Sequence, residues 1–278
     1  MAFLNILLIA AAINSPSVWW GTTNTLYSFE TDLNKAKGGT FIKEAMRTMD
    51  GMRKAYASYV PSTREVGVCK VKVFKSFKGY NEYINKPGNT TNCGMWVPMK
   101  EELLIVAEDP KNAQTTMRHE AFHQYIYYAT GRGDHAMWFN EGMACFFESI
   151  KYNTANKTVK VQDDGMRARW VDHLGAMTVA SRFAAVRQKS YSEFYSGDVN
   201  SNYITAWALC YFLERAPGAH KRYAGYEKVM KSYLNAMESG QSAAEATLSA
   251  FAQIDEQKLI ADFVYFWEHD RKRARKAK

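Results

Sequence analysis

The stretch that most restricts the fold of this chain is Met117–Tyr128, "MRHEAFHQYIYY". On an α-helix, successive residues turn by about 100°, so His119 and His123 lie about 40° apart and one turn from each other. Phe122 and Ile126 share that face, and the two histidines are therefore expected to point inward. Because an unsatisfied buried polar group is costly, this pair requires a polar or ionic partner.

A metal ion is the expected partner. Two imidazole rings one helical turn apart can converge on a single ion. Glu120 completes His-Glu-x-x-His and lies to the flank of the pair, where a carboxylate can act as a general base without displacing a ligand. The competing interpretation is a helix that carries two surface histidines.

Glu141 favours the metal over the competing interpretation. It follows His123 by 18 residues, in "MWFNEGMACFFE", near the start of the next predicted helix. Two helices joined by the short "GRGDHA" loop would bring Glu141 beside His119 and His123. Two histidines and a glutamate are a known zinc set that leaves one coordination position open.

The two motifs together carry a resemblance. HExxH followed by "WFNEG" resembles the gluzincin metallopeptidases, whose third ligand is the Glu of an Asn-Glu-[Ala/Gly] motif. "WFNEGMACFFE" is also similar to a form found in zinc aminopeptidases and in a family of uncharacterised bacterial peptidase-like domains. That bacterial family resembles further parts of the chain, from about Leu26 to Leu234, at "LYSFETDL", "VCKVKVF", "GYNEYI", "GMWVP…ELLIVA" and "NYITAWALCYFLE".

The resemblance implies a zinc-dependent metallopeptidase that acts on a peptide or protein substrate. It implies one Zn²⁺ ion with three ligands, which are His119, His123 and Glu141. It also implies that Glu120 is the catalytic base, which takes a proton from water and passes it to the leaving amine. A non-catalytic metal- or peptide-binding protein on the same scaffold is the alternative, which the presence of Glu120 disfavours.

Other site residues are less constrained. The resemblance implies Tyr203 as the group that stabilises the oxyanion, although a packing role at a helix start fits this tyrosine equally well. His135 is a rival for that role, but its position in the loop favours a solvated histidine.

One position departs from the thermolysin-like pattern. Cys145 stands where those enzymes carry an Asp that orients a ligand histidine, so Glu148 or a backbone carbonyl is expected to replace it. The resemblance also implies an edge strand above the metal that pairs with extended substrate, formed by "CGMWVP" or "ELLIVAE".

The pattern of the whole chain predicts an α+β fold, and the resemblance implies one gluzincin-like metallopeptidase domain over residues 26–270. Residues 26–110 are rich in strands and predict a small mixed sheet with covering helices, and residues 111–270 are mainly helical. The clearest elements are a helix over Lys35–Tyr59 and a strictly alternating strand over Val66–Phe74. Later helices are predicted over about Trp138–Tyr152 and over Asp255–Ala274.

The two ends of the chain bear on location and partners. Residues 1–20 contain an apolar run with the length of a signal-peptide core, which favours export to the periplasm or medium, and no transmembrane anchor is expected. The net charge is +8, but residues 271–278 hold six of the 36 basic side chains. This basic tail is expected to be a solvated terminus, so no nucleic-acid partner is expected.

The four cysteines form no CxxC pair. In an exported protein, Cys69 and Cys93 are candidates for a disulfide, whereas Cys145 and Cys210 are expected to be buried thiols.

Overall fold

The α+β architecture is confirmed in the computed structural model, in which a mixed five-stranded sheet precedes a mainly helical part. The structure describes residues 18–61, 64–131, 133–153, 156, 158–161 and 166–271. Most of the apolar leader and all but the first residue of the basic tail lie outside this range. No helix within these described ranges is long and apolar enough to cross a membrane.

The described residues form seven β-strands and twelve α-helices. The strands are β1 (Trp20–Thr23), β2 (Tyr27–Thr31), β3 (Cys69–Phe74), β4 (Gly94–Val97), β5 (Glu102–Val106), β6 (Ile150–Asn153) and β7 (Thr158–Val161). The α-helices are α1 (Lys35–Tyr59), α2 (Phe77–Ile84), α3 (Pro110–Thr130), α4 (Met137–Glu148), α5 (Met166–Leu174), α6 (Ala176–Ala180), α7 (Phe183–Gln188), α8 (Tyr191–Phe194), α9 (Val199–Arg215), α10 (Glu227–Glu238), α11 (Ala243–Phe251) and α12 (Glu256–Tyr265).

The sheet has the order β1-β2-β3-β5-β4. Strands β2, β3 and β5 are parallel, and β1 and β4 are antiparallel to their neighbours. Helix α1 connects β2 to the parallel strand β3, as a crossover between parallel strands requires. Strand β4 therefore lies at an edge of the sheet, next to α3.

Alternation along the strands separates two apolar layers. In β3, Val71 and Val73 are buried in the main core with α1 and α3. In β5, Leu104 and Val106 face the opposite side and pack with Tyr80 of α2 in a smaller cluster. Successive side chains of a strand point to opposite faces, so β3 and β5 contribute to both layers.

Three sequence predictions need correction. The strand predicted over Val66–Phe74 begins only at Cys69, because the carbonyls of Val66 and Gly67 accept hydrogen bonds from Arg53 instead of pairing with a strand. The predicted second helix over Trp138–Tyr152 ends at Glu148, because the chain turns there into the β6–β7 hairpin. Strand β1 was not predicted, since "WGTT" has no apolar alternation. The last helix, predicted over Asp255–Ala274, is a regular α-helix over Glu256–Tyr265, after which Phe266–Asp270 forms a π-helical turn. Residues 272–274 of this prediction lie outside the described residues.

The cysteines are free thiols. Cys69 begins β3, whereas Cys93 lies opposite Val106 at the other end of β5. Two strand spacings and about five residues of strand therefore separate the cysteines, a distance of roughly 19 Å. A disulfide requires Cα atoms less than about 7 Å apart, so Cys69 and Cys93 do not pair. Cys145 and Cys210 are buried thiols, as expected.

Candidate metal centre

Helix α3 places three candidate residues on one side of the sheet. Asp109 caps its N-terminus by accepting hydrogen bonds from two backbone amides, and Pro110 occupies the first helical position. Gly131 ends it in the left-handed region, with φ of 68°. His119 and His123 then project from the same face, with ring centroids 4.9 Å apart.

Glu141 comes from helix α4, which packs against both α3 and α9. Its side chain is only 3% exposed. Gly142, the next residue, makes the close approach to α9 possible. A Cβ atom there would lie 2.5 Å from Cys210 Sγ and 2.6 Å from the backbone oxygen of Ala206. The glycine of "WFNEG" therefore allows α4 to pack closely against α9, and this packing buries Glu141.

The three side chains converge as the sequence predicts. Glu141 Oε2 lies 3.3 Å from His119 Nε2, and Glu141 Oε1 lies 3.5 Å from His123 Nε2. Zinc–nitrogen and zinc–oxygen bonds of about 2.0–2.1 Å place neighbouring donors of a tetrahedron about 3.4 Å apart. Glu141 Oε2 is also buried and accepts no hydrogen bond from any residue that the structure describes. The donor set and its spacing fit a Zn²⁺ ion.

The outer ring nitrogens of both histidines are engaged. Asn140 Oδ1 lies 2.9 Å from His123 Nδ1, and Glu148 Oε2 lies 3.4 Å from His119 Nδ1. Arg167 of α5 holds Glu148 through a 2.7 Å ion pair. Hydrogen bonds at Nδ1 orient a metal-binding imidazole and leave Nε2 for the ion.

Glu148 therefore occupies the orienting position that was expected of it or of a backbone carbonyl. Cys145, one turn nearer to Glu141, lies 4.0 Å from His119 Nδ1 and adds a weak polar contact. Arg167 and Asn140 were missed by the sequence reasoning. Asn140 had a signal in the Asn-Glu-Gly motif, but Arg167 is too distant in sequence to have one.

Charges in this cluster are strongly coupled. Burial alone would raise the pKa of Glu141, but the neighbouring His123 and His119 lower that pKa to about 2. Burial alone would lower the pKa of His119, yet its close polar contacts with Cys145, Glu141 and Glu148 raise that pKa well above its usual value. A buried carboxylate that binds positive charge this strongly is suited to a cation.

Glu120 faces the cleft beside the pair. Its Oε2 accepts a 2.9 Å hydrogen bond from the backbone N–H of Trp96 in β4. Burial raises the pKa of Glu120, and His119 and His123 partly oppose that effect. The hydrogen bond from Trp96 also shows that the outer backbone groups of β4 face the site.

Of the two strands considered for the edge above the metal, "CGMWVP" contains the edge strand β4. "ELLIVAE" contains β5, which is wrong for this role because β5 lies between β3 and β4.

Two tyrosines lie close to the triad. The ring of Tyr203 lies 6.4 Å from that of His119, so the predicted residue is at the site. The closest hydroxyl belongs to Tyr195, which sequence reasoning missed and which donates a 2.6 Å hydrogen bond to Glu141 Oε1. Burial and the Glu141 carboxylate raise the pKa of both phenols, so both hydroxyls keep their protons.

His135 is not a solvated loop histidine, which corrects the favoured interpretation. It is 6% exposed, and its Nε2 lies 3.0 Å from Thr130 Oγ1. Its ring also packs near Phe139 and Tyr233. The histidine is buried because Ala136, the next residue, is anchored by a hydrogen bond from its N–H to the Tyr233 hydroxyl.

Gly142→Ala is expected to disturb the site through packing alone. The added Cβ meets backbone of α9, so the helices must separate, at a cost of about 1–3 kcal/mol of unfolding free energy. Urea denaturation and zinc titration of the purified variant measure both effects. Gly39→Ala in α1 is the matched control, because a Cβ there has no neighbour within 4 Å. Equal stability and zinc affinity in the Gly142 variant and wild type would contradict this role.

Residues 113–228 match the model of a family described as "Protein of unknown function (DUF1570)". The matched segment contains the three candidate ligands, Glu120 and both tyrosines. No curated protein matches the chain. The family description carries no activity, so the chemistry of the site supplies the functional argument.

Proposed function

We propose that the protein is a zinc-dependent metallopeptidase of the gluzincin type. The observation that carries the proposal is the convergence of His119, His123 and Glu141, with donor spacings of 3.3 and 3.5 Å, beside a carboxylate that is not part of the triad. A purely structural site uses four protein ligands and has no need of that carboxylate. Bound Zn²⁺ would polarise the scissile carbonyl and lower the pKa of the attacking water.

Glu120 is the general base in this proposal. Its Oε2 is held by the Trp96 N–H, which leaves Oε1 to accept the proton of the attacking water. The same carboxyl group then delivers the proton to the leaving amine. Because burial raises its pKa, Glu120 is a better proton acceptor than an exposed glutamate.

The edge of β4 supports a peptide as the substrate. Within the part of the chain that the structure describes, Trp96 lies in a strand with no neighbouring strand on its outer side, and its N–H points toward the site. An extended peptide can add to such an edge by backbone hydrogen bonds, which bind polypeptide without regard to side chains. The carbonyl of a residue paired there would lie near Glu120 and the triad.

Tyr195 and Tyr203 have different roles in this proposal. Tyr195 donates to the ligand Glu141 and so positions it, whereas Tyr203 keeps the proposed role of stabilising the oxyanion. Tyr195→Phe is therefore expected to weaken zinc binding by about 10–100-fold, as the loss of a partner of a metal ligand does. Tyr203→Phe is expected to lower kcat and leave zinc affinity unchanged. Chelator competition and steady-state kinetics separate the two, and equal zinc affinities in all three proteins would contradict the role of Tyr195.

Zinc content and peptide cleavage test the proposal together. The full chain is purified, its bound metal is measured by mass spectrometry, and the zinc-loaded protein is incubated with a mixed peptide library. The expected result is one zinc per chain and new peptide termini that chelation abolishes. One zinc per chain without cleavage would leave a non-catalytic metal-binding protein, and absence of zinc binding would exclude the centre altogether.

A further inference from the structure

Part of the cleft lining carries exposed apolar side chains. The cleft has a volume of about 1070 Å³, and its lining includes the segment from α7 to α8 and the first turns of α11 as well as residues of β4. Tyr191 is 72% exposed and Leu248 is 69% exposed, although both are large apolar residues. Tyr195, 37% exposed, completes this group, which is called the apolar rim below.

The apolar rim is continuous with the metal centre. The rings of Tyr191 and Tyr195 are 4.6 Å apart, and the hydroxyl of Tyr195 bonds to Glu141. A side chain lying on the rim would therefore sit within a residue or two of the scissile bond. Single exposed apolar residues are ordinary, but a group of them in a cleft beside a reactive centre marks a binding surface.

A rigid framework supports the rim. Arg187, at the end of α7, forms a 2.5 Å ion pair with Glu256 and lies over the Phe251 ring of α11. Leu248 is one turn before Phe251, so this contact ties the Leu248 helix to the segment that leads to Tyr191. A capping box at Ser190 fixes the short helix that carries the two tyrosines. Preformed apolar surface of this kind binds without a large ordering cost.

We propose that the apolar rim is a subsite for one large apolar side chain, such as Leu, Met or Phe, of an extended peptide. This inference rests on the proposed function, because the β4 edge and the metal centre set the path of the peptide. A charged side chain at this position would lose hydration against Tyr191 and Leu248, whereas an apolar side chain would gain burial there. In this proposal, β4 binds the backbone of the peptide, and the apolar rim selects one of its side chains.

The test compares substrate preference in three proteins. Blocked peptides that differ at single positions near the cleaved bond, with Phe, Leu, Gly or Asp in turn, are offered to zinc-loaded wild type, Leu248→Lys and Met177→Lys. Met177 is a matched control, since it is 56% exposed and lies outside the cleft lining. Wild type and Met177→Lys are expected to prefer Phe or Leu at one position. Leu248→Lys should lose about tenfold or more in kcat/KM for those peptides alone, in line with the loss of apolar contact in a pocket.

Binding measurements keep the subsite distinct from the catalytic proposal. Calorimetric titration of the same peptides into the zinc-loaded proteins should show the Phe over Gly preference in wild type and its loss in Leu248→Lys. If wild type binds with this preference and cleaves none of the peptides, the subsite stands and the peptidase proposal fails. If cleavage or binding is equal for all side chains, or Leu248→Lys keeps the preference, the subsite is overturned.

Discussion

Glu120→Gln is expected to abolish most peptide cleavage while zinc binding persists. Glutamine keeps the size of the side chain and can still accept the hydrogen bond from Trp96 N–H, but it cannot take a proton from water. Loss of a general base typically lowers the rate by about 10²–10⁴-fold. Single-turnover cleavage of the best peptide from the library, with zinc content measured on the same sample, gives both quantities.

The matched control for this variant is Glu30→Gln, which changes a carboxylate in an ion pair with Lys72 outside both the metal triad and the cleft lining. It is expected to retain the cleavage rate within a few-fold. Retention of full activity by Glu120→Gln would remove Glu120 from the chemistry. Loss of zinc in the same variant would mean that Glu120 holds the ion rather than the water.

The chemistry-bearing residues could be predicted because their geometry is local. His119, Glu120 and His123 lie within five residues of one helix, and helical geometry alone brings the histidines together. Glu141 needed a second step, a short loop between adjacent helices, which the "GRGDHA" segment allows. The sequence therefore predicts the ligand triad and the helical frame around it.

Long-range partners could not be predicted by the same reasoning. Tyr195 reaches Glu141 across 54 residues, and Arg167 reaches Glu148 from α5. No periodicity or spacing rule connects such pairs, because their meeting depends on how α4, α5 and α9 pack. The β6–β7 hairpin was not predicted for a related reason. Ile150 continues the apolar pattern of α4, so the pattern does not show where the helix ends.

Burial and local exposure also cannot be read from loop composition. His135 stands in a polar loop, "GRGDHA", yet the packing of Tyr233 from α10 covers it. Tyr191 and Leu248 give the opposite case, since their apolar side chains remain exposed. The buried His135 and the exposed Tyr191 and Leu248 all line the cleft. At such a site, function competes with the preference for burying apolar groups.

Zinc is expected to stabilise the folded protein, and Glu141→Gln is expected to remove that effect. An ion that binds only the native state at 1,000 times its dissociation constant contributes about 4 kcal/mol to the free energy of unfolding. For a chain of this size that corresponds to a rise in melting temperature on the order of 10 °C. Glutamine preserves the volume of Glu141 in its buried site but removes the negative charge that two histidines and the ion would share.

Differential scanning calorimetry of the metal-free proteins, with and without added zinc, measures this shift. His173→Ala is the control for adventitious binding, because His173 is an exposed histidine of α5 outside the cleft. Wild type and His173→Ala should show the same large shift, and Glu141→Gln a small one. A shift that survives in Glu141→Gln would place the ion elsewhere. The zinc-induced shift in melting temperature of Tyr195→Phe is expected to lie between those of wild type and Glu141→Gln, because this variant removes a partner of the ligand rather than the ligand itself.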